Sequence, residues 1–377
     1  MTTKPLRSNP VSPFIPVLCF IFFSFGLTAF PDLVRNNLTV DITYCLTTLV
    51  PSLFPFIALT SYAVNSPVND FFTKYFGFIA KYIFRLPKVC TVTILMGLLG
   101  GYPSGAAGVS SLLENSEITK KEASRLLFFC VNPGIAYVIT YAGITVLNNK
   151  KAGLMLFCSI LAASILMGIV QGLFFSIPEN DKTFTVKTHE NAIIKSASNA
   201  SLAMVRMISC ILLFSSFIAI LQGSGILNFI SSWTGTHIHI PFKTAESFLL
   251  MLLEITRGFR ISAENHTPVM LYALTLAFAG ICVHLQIFSF FGEFPMAKWK
   301  FILSRLLHGI LSAVIFLSLL KLFPDTQMVF FSSIDPKTVV STGLSTTLSG
   351  GISLLAMCAA FLLILQQNRS TDPPQIK

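Results

Sequence analysis

The sequence predicts an all-α polytopic membrane protein, with about eight transmembrane helices and two re-entrant helical hairpins arranged as an inverted repeat. Three observations carry this prediction. Apolar residues make up 53% of the chain and charged residues 11%, and the mean hydropathy is +0.74, well outside the soluble range. Apolar windows long enough to span a bilayer recur from end to end of the 377 residues. Two further apolar stretches, in matching positions of the two halves, are cut by residues that a continuous span does not tolerate. These are Gly100-Gly101-Tyr102-Pro103-Ser104-Gly105 and Glu254-Ile255-Thr256-Arg257-Gly258. Irregular backbone at membrane depth survives only where it is buried in protein or lines a cavity, so paired interruptions point to the substrate site of a secondary transporter.

The first element expected is a helix over 13–30. Lys4 and Arg7 precede its apolar run as in a signal peptide, but Pro31-Asp32 follows without a small-residue cleavage site, so it reads as a retained transmembrane helix. A second span is expected over 41–64. Phe71, Phe72, Tyr75, Phe76, Ile79, Tyr82 and Ile83 then repeat at helical spacing, with Lys74, Lys81 and Arg85 on the other face, which predicts a helix lying on the membrane surface. The first hairpin is expected over 89–114. Its arms, 89–99 and 106–113, are each about ten residues, or about 15 Å of helix, half the ~30 Å hydrocarbon core. Pro103 is expected to end the first arm. Spans follow at 123–147, interrupted by Asn132-Pro133-Gly134, and at 152–177 and 199–222. The second hairpin is expected over 244–266, and spans at 268–291, 303–322 and 348–366 complete the chain. The whole, 1–377, reads as a single membrane domain with a first repeat at 41–177, a second at 199–291 and C-terminal transmembrane helices over 303–366.

Lysine and arginine positions orient these segments. With both hairpins turning back and both termini cytoplasmic, inside regions carry 17 basic residues and outside regions six, leaving Arg206, Arg257 and Arg260 at membrane depth. Full crossing by both would divide the same loops 14 to 9. The positive-inside rule therefore favours two hairpins and eight spans. Three crossings then separate the helix at 41–64 from its counterpart at 199–222, which inverts the second half relative to the first.

Composition and motifs also exclude function classes. The formal net charge of +10 is spread between hydrophobic spans, with no basic stripe or RNA-reading motif, so nucleic acid is not an expected partner. The eight cysteines stand singly in apolar stretches, which argues against a metal or redox site. No HExxH, Walker or triad arrangement occurs, so neither an enzymatic activity nor a cofactor is expected.

The candidate substrate-binding residues cluster at the interruptions. Gly101 and Gly105 allow close backbone approach beside Tyr102 and Ser104, and the N-terminus of the second arm offers free N–H groups and the positive end of a dipole. Asn132 sits in a proline break whose freed carbonyls face a cavity or are satisfied by neighbours. Glu254, Thr256, Arg257 and Arg260 lie at the second tip. A charge at mid-bilayer costs at least about 2.5–3.5 kcal/mol, so these groups must be paired, hydrated or functional. Glu254 and Arg257, three apart, suit either an ion pair or a division of labour in which an arginine attracts a carboxylate substrate. His284 and Gln286 are polar groups in a long apolar run; the histidine suits proton coupling or a plain interhelical hydrogen bond. His308 is open in the same way, and Arg206 can snorkel to the nearer surface.

Five motifs occur in order: Val50-Pro51-Ser52-Leu53-Phe54-Pro55-Phe56, Gly101-Tyr102-Pro103-Ser104-Gly105-Ala106, Phe129-Cys130-Val131-Asn132-Pro133-Gly134, Leu253-Glu254-Ile255-Thr256-Arg257-Gly258 and Val283-His284-Leu285-Gln286. Together, over about residues 40–295, the chain resembles the sporulation integral membrane proteins of the YlbJ type, which carry a nucleoside-recognition or "Gate" domain. Asn132-Pro133-Gly134 and Ala279-Gly280 depart from the family pattern. The resemblance implies an architecture similar to concentrative nucleoside transporters, with two hairpins meeting at the substrate. It also implies dipicolinate export from the mother cell, a place in the cell membrane or outer forespore membrane, and assembly as a homo-oligomer. A nucleoside-like substrate and a non-transporting scaffold or ligand-sensing gate in spore formation are the alternatives.

Overall fold

A computed structural model describes residues 14–178 and 191–323, and every regular element among them is helical. The first helices are α1 (Phe14–Ala29), α2 (Pro31–Tyr44) and α3 (Val50–Val64), the last two joined by a π-helical turn at Cys45–Leu49. Together Pro31–Val64 forms one helical run of 34 residues, beginning ten residues before the expected 41. Pro31 opens it at a position where a missing N–H leaves no hydrogen bond unmade. The π-helical turn comes just before Pro51, whose ring can neither donate to nor tolerate the carbonyl one turn back.

Next come α4 (Val68–Phe78) and its π-helical continuation Ile79–Ile83. This amphipathic segment turns by 105° from Lys88–Leu99 and exposes Phe71, Tyr75, Phe78 and Tyr82. The helices α5 (Thr91–Leu99) and α6 (Tyr102–Glu114) fold back on each other, since Gly105 lies against Gly97 and Gly108 against Thr93. This is an antiparallel hairpin. Pro103 stands in the first turn of α6, with Gly101 at its N-cap; the first arm ends at the paired glycines, and the proline opens the second arm instead of closing the first.

A capping box between Thr119 and Glu122 starts α7 (Lys120–Phe129). The expected span 123–147 is broken after it: residues 130–134 are non-helical, and a π-helical segment, Tyr137–Val146, resumes. After α8 (Lys150–Leu173) come α9 (Ala192–Gly223), α10 (Ile226–Ile238), α11 (Phe242–Leu253) and α12 (Ile255–Glu264). The last two form a second hairpin, with Gly258 against Met251 and the Asn265 amide donating to the Ser247 hydroxyl at 3.0 Å. The helices α13 (Val269–Phe278), α14 (Gly280–Phe288) and α15 (Lys298–Leu322) follow. Ala279 breaks the first two apart at φ 82°.

The same order of elements therefore occurs twice: long helix, amphipathic helix, hairpin, broken helix, long helix. Equivalent members pack on each other, α3 on α9 and α8 on α15. Two parts of this pattern differ from the sequence expectation. The amphipathic α10 was not anticipated, and α15 stands where α8 stands in the first set instead of flanking the core.

Five described helices are long and apolar enough to cross a membrane, or six if the bent pair of Val68–Ile83 and Lys88–Leu99 counts as one. Pro16–Ala29 is apolar but shorter, and the span expected at 348–366 lies outside the described residues. Leu166, Val170, Leu303, Leu307 and Val314 face outward, as lipid-facing side chains do and soluble surfaces avoid. The chain is a helical membrane protein. At the ends of the bundle polar ties take over: Lys120 meets Glu293 at 2.7 Å, which holds that carboxyl below its ordinary range.

Candidate functional site

The tips of the two hairpins meet. Between them lies a cavity of about 40 Å³, lined by Gly101, Tyr102 and Pro103 from the first tip and Glu254, Ile255 and Thr256 from the second. Gly134 and Tyr137 enter after the first helix break, and Val283 and Gln286 from α14. Leu49, Leu53, Met207 and Ile211 close the sides from the paired long helices. Leu49 ends the π-helical turn and Leu53 lies between the prolines at 51 and 55, and both are buried.

Gly101 adopts φ 108°, open to glycine and strained for any other residue. A Cβ there would sit 3.4 Å from the Gly134 nitrogen. The N-terminus of α6 has no side-chain cap. That of α12 has one: Glu254 accepts from the Thr256 N–H at 3.0 Å and the Arg257 N–H at 2.7 Å. The two tips thus face the same cavity with opposite character, one an open positive helix end and the other an end filled by its own carboxylate.

Of the residues singled out from sequence, Gly101, Tyr102, Glu254, Thr256 and Gln286 line the cavity. Tyr102 is also tied down, its hydroxyl donating to the Leu276 carbonyl near the end of α13. Ser104 and Gly105 lie behind the tip. The Ser104 hydroxyl donates to the Gly101 carbonyl at 3.1 Å, and Gly105 leaves room for the Cys130 carbonyl. The Asn132 amide donates to the carbonyls of Gly97 and Phe129, which staples the helix break to the first arm. His284 packs edge-on to Phe278 and Phe301 and does not line the cavity. His308 is fully buried between the carbonyls of Ala277 and Ile160. Arg206 is half-buried and donates to the Ser289 carbonyl at 3.2 Å.

Arg257 and Arg260 are the main departure from expectation. Glu254 spends its carboxylate on backbone N–H groups, so no Glu254–Arg257 ion pair forms. Both arginines turn instead to Asp41 of α2, at 3.7 Å from Arg257 and 3.6 Å from Arg260. Arg257 also donates to Gln222 at 3.2 Å and lies 3.5 Å from the Ser215 hydroxyl. Neither guanidinium lines the cavity, whose only charged lining residue is Glu254. Asp41 was readable, as a lone carboxylate in the run Leu38-Thr39-Val40-Asp41-Ile42, once that run is recognised as helix interior.

Arg305, one of the 17 basic residues assigned to inside regions and close to the start of the span expected at 303–322, does not lie at the surface. It is fully buried, with its guanidinium donating to the carbonyls of Val131, at 2.6 Å, and Phe128. Ser164 takes the neighbouring Phe129 carbonyl. The frayed end of α7 is therefore satisfied from α15 and α8, as a helix C-terminus requires. Tyrosines were the other omission. The rings of Tyr44, Tyr141 and Tyr137 form a chain at 5.0 and 5.2 Å, and Tyr141 donates to the Thr256 carbonyl at 3.1 Å. The Tyr44 and Tyr137 hydroxyls are buried without a hydrogen-bond partner.

No protein-family model matches the chain, and no solved structure matches it. Among curated proteins it is similar to the sporulation integral membrane protein YlbJ of Bacillus subtilis (strain 168), at 23% identity over 355 residues, covering 84% of this chain and 86% of that one. The chain is thus related, at modest identity and along most of its length, to the YlbJ-type sporulation integral membrane proteins that its five motifs resemble.

Proposed function

We propose that this protein is a secondary carrier that moves a small polar solute across a membrane, unchanged, during spore formation. One observation supports this above the others: two opposed hairpin tips and a broken helix converge on a single cavity in a chain of apolar helices. Discontinuous helices of this kind offer backbone groups and dipole ends to a solute at membrane depth. As it stands the cavity holds at most about three waters, so a solute enters only when the tips part. In this reading the two sets of elements form an inverted repeat, eight spans leave both termini in the cytoplasm, and the hairpins rock about the site. Assembly as a homo-oligomer and a place in the outer forespore membrane belong to the same reading.

The solute favoured by the resemblance is dipicolinate, an anion, with Arg257 and Arg260 as its attractors. The lining favours a second reading, a neutral nucleoside-like solute. The lining holds no cation: its polar side chains are Tyr102, Tyr137, Thr256 and Gln286 beside the uncapped end of α6, and its one carboxylate, Glu254, is already taken up by backbone N–H groups.

Uptake of radiolabelled dipicolinate and uridine into liposomes, with the wild type and Gln286→Ala, separates these cases. Saturable dipicolinate flux that falls in the variant supports the anion carrier. Uridine flux alone moves the protein to the nucleoside class. No flux of either would sink the carrier reading in favour of a membrane scaffold or ligand-sensing gate.

A further inference from the structure

The polar face of α12 runs outward from the cavity as Glu254, Arg257, Arg260 and Glu264, spaced three or four residues apart so that each stands above the last. Arg257 is 5% exposed and Arg260 36% exposed at the side chain. Burial thus deepens along the row toward the cavity. Two guanidinium groups here face one carboxylate, Asp41. The other nearby acid, Glu254, gives its oxygens to backbone N–H groups, so it balances charge from a distance without taking a guanidinium hydrogen bond.

The fit of Asp41 to these arginines is loose. Its contacts of 3.7 and 3.6 Å are well outside the ~2.7–2.9 Å of charge-assisted hydrogen bonds. Asp41 Oδ2 and Arg257 Nε are both buried without a hydrogen-bond partner. Arg257 has a second hold besides Asp41, because Gln222 Oε1 accepts from it at 3.2 Å and also accepts from Asn37 of α2 at 3.3 Å. Gln222 and Ser215 are neutral and each meets one terminal nitrogen of Arg257, which leaves the Nε–H unmatched for a planar carboxylate.

We propose that Arg257 and Arg260 form a carboxylate-binding station on the outer side of the second hairpin, and that Asp41 occupies it as an exchangeable resident carboxylate. A small carboxylate arriving past half-exposed Arg260 displaces Asp41, and a dicarboxylate engages both guanidinium groups. Exchange also releases the tie between α2 and α12, freeing the hairpin whose tip closes the cavity. The station's place on a solute route rests on the carrier reading above. The binding itself does not.

Calorimetric titration of the full-length protein in nanodiscs tests the station, with isophthalate as the dicarboxylate probe and isophthalamide as its uncharged equivalent. The wild type is expected to bind isophthalate and not isophthalamide. Asp41→Asn removes the resident competitor and should tighten isophthalate binding at least about fivefold, the low end of coupling between linked sites. Arg260→Gln, at a half-exposed position, should weaken it by at least the same factor. Isophthalate binding unchanged by Arg260→Gln, or unchanged or weakened in folded Asp41→Asn, would overturn the proposal, as would no binding to the wild type and Asp41→Asn alike. If Asp41→Asn does not fold, the Arg260→Gln titration decides alone. Because no transport is measured, Asp41-sensitive binding without flux in liposomes would remove the carrier and leave the station standing.

Discussion

Arg305 carries a full charge into the interior with no carboxylate to meet it among the described residues, and backbone carbonyls answer it instead. The last carbonyls of any helix lack partners within the helix and bear the negative end of its dipole. At the end of α7 they also lie in a proline break, where Asn132-Pro133-Gly134 prevents the chain from continuing. Arg305→Met keeps much of the volume and removes the donors, leaving the Phe128 and Val131 carbonyls buried and unmet. A loss of about 2 kcal/mol follows from the cost of orphaned polar groups, read as a lower thermal midpoint in detergent; a midpoint equal to wild type would mean that the break holds without the guanidinium. Ala279 gives the converse case. Its φ of 82° places an L-residue in the left-handed region, at a cost of about 1–2 kcal/mol, partly offset in a glycine by the greater freedom of its unfolded chain. Ala279→Gly should therefore raise the midpoint by up to about 1 kcal/mol equivalent. Gly280→Ala should lower it, since a Cβ there meets the Met251 carbonyl at 3.0 Å as well as a φ of 65°.

At the scale of elements the two hairpins use one plan with different chemistry. Each second arm starts at an N-cap, Gly101 or Glu254, and four residues later places a glycine, Gly105 or Gly258, where another backbone passes. For Gly258 that backbone is its own first arm at Met251; for Gly105 it is the Cys130 carbonyl. Gly258→Ala should wedge the arms of the second hairpin apart and cost about 1–3 kcal/mol, as overpacking does. Glu254→Ala should cost about 1–2 kcal/mol through the lost cap, whereas Glu254→Gln keeps an acceptor and should cost less. A thermal melt of the three variants gives the order, and an equal loss for Gln and Ala would show that charge, not capping, is what the position needs. The glycine and proline punctuation made both hairpins and the break at 130–134 legible in sequence, because those residues act on their own backbone. The partners of the charges were not legible. Whether Arg257 meets Glu254, three residues away, or Asp41 on another helix depends on packing that spacing does not encode. The same holds for Arg305, which a charge count assigns to an inside region and the fold buries. The amphipathic α10 was hidden because its exposed polar residues include Asn228, Ser232 and Thr236, with no lysine or arginine to mark a polar face.

For the whole molecule, the recurrence of one element order makes a definite claim about sidedness. The helices α4 and α10 hold equivalent places, each leading into a hairpin. If both hairpins turn back, the chain crosses the membrane between α4 and α10 by the broken helix at 120–146, by α8 and by α9, an odd number of times. The two amphipathic helices then lie on opposite faces, and the second set is the first turned over. If the first hairpin crossed fully instead, one crossing would be added and α4 and α10 would share a face. Basic residues follow the first arrangement: Lys74, Lys81, Arg85 and Lys88 accompany α4, whereas 226–238 contains neither lysine nor arginine, as expected of a helix on the outer surface. Lys74 and Ser232 are exposed on the two helices, so single-cysteine variants Lys74→Cys and Ser232→Cys, in a chain freed of its own cysteines, report on each face. In intact cells an impermeant maleimide should label the Ser232 variant and reach the Lys74 variant only after permeabilisation. Labelling of both from outside, or of neither, would put the two helices on one face. The hairpin tips could not then serve as opposed gates to the cavity they share, because inversion is what lets one tip face each side.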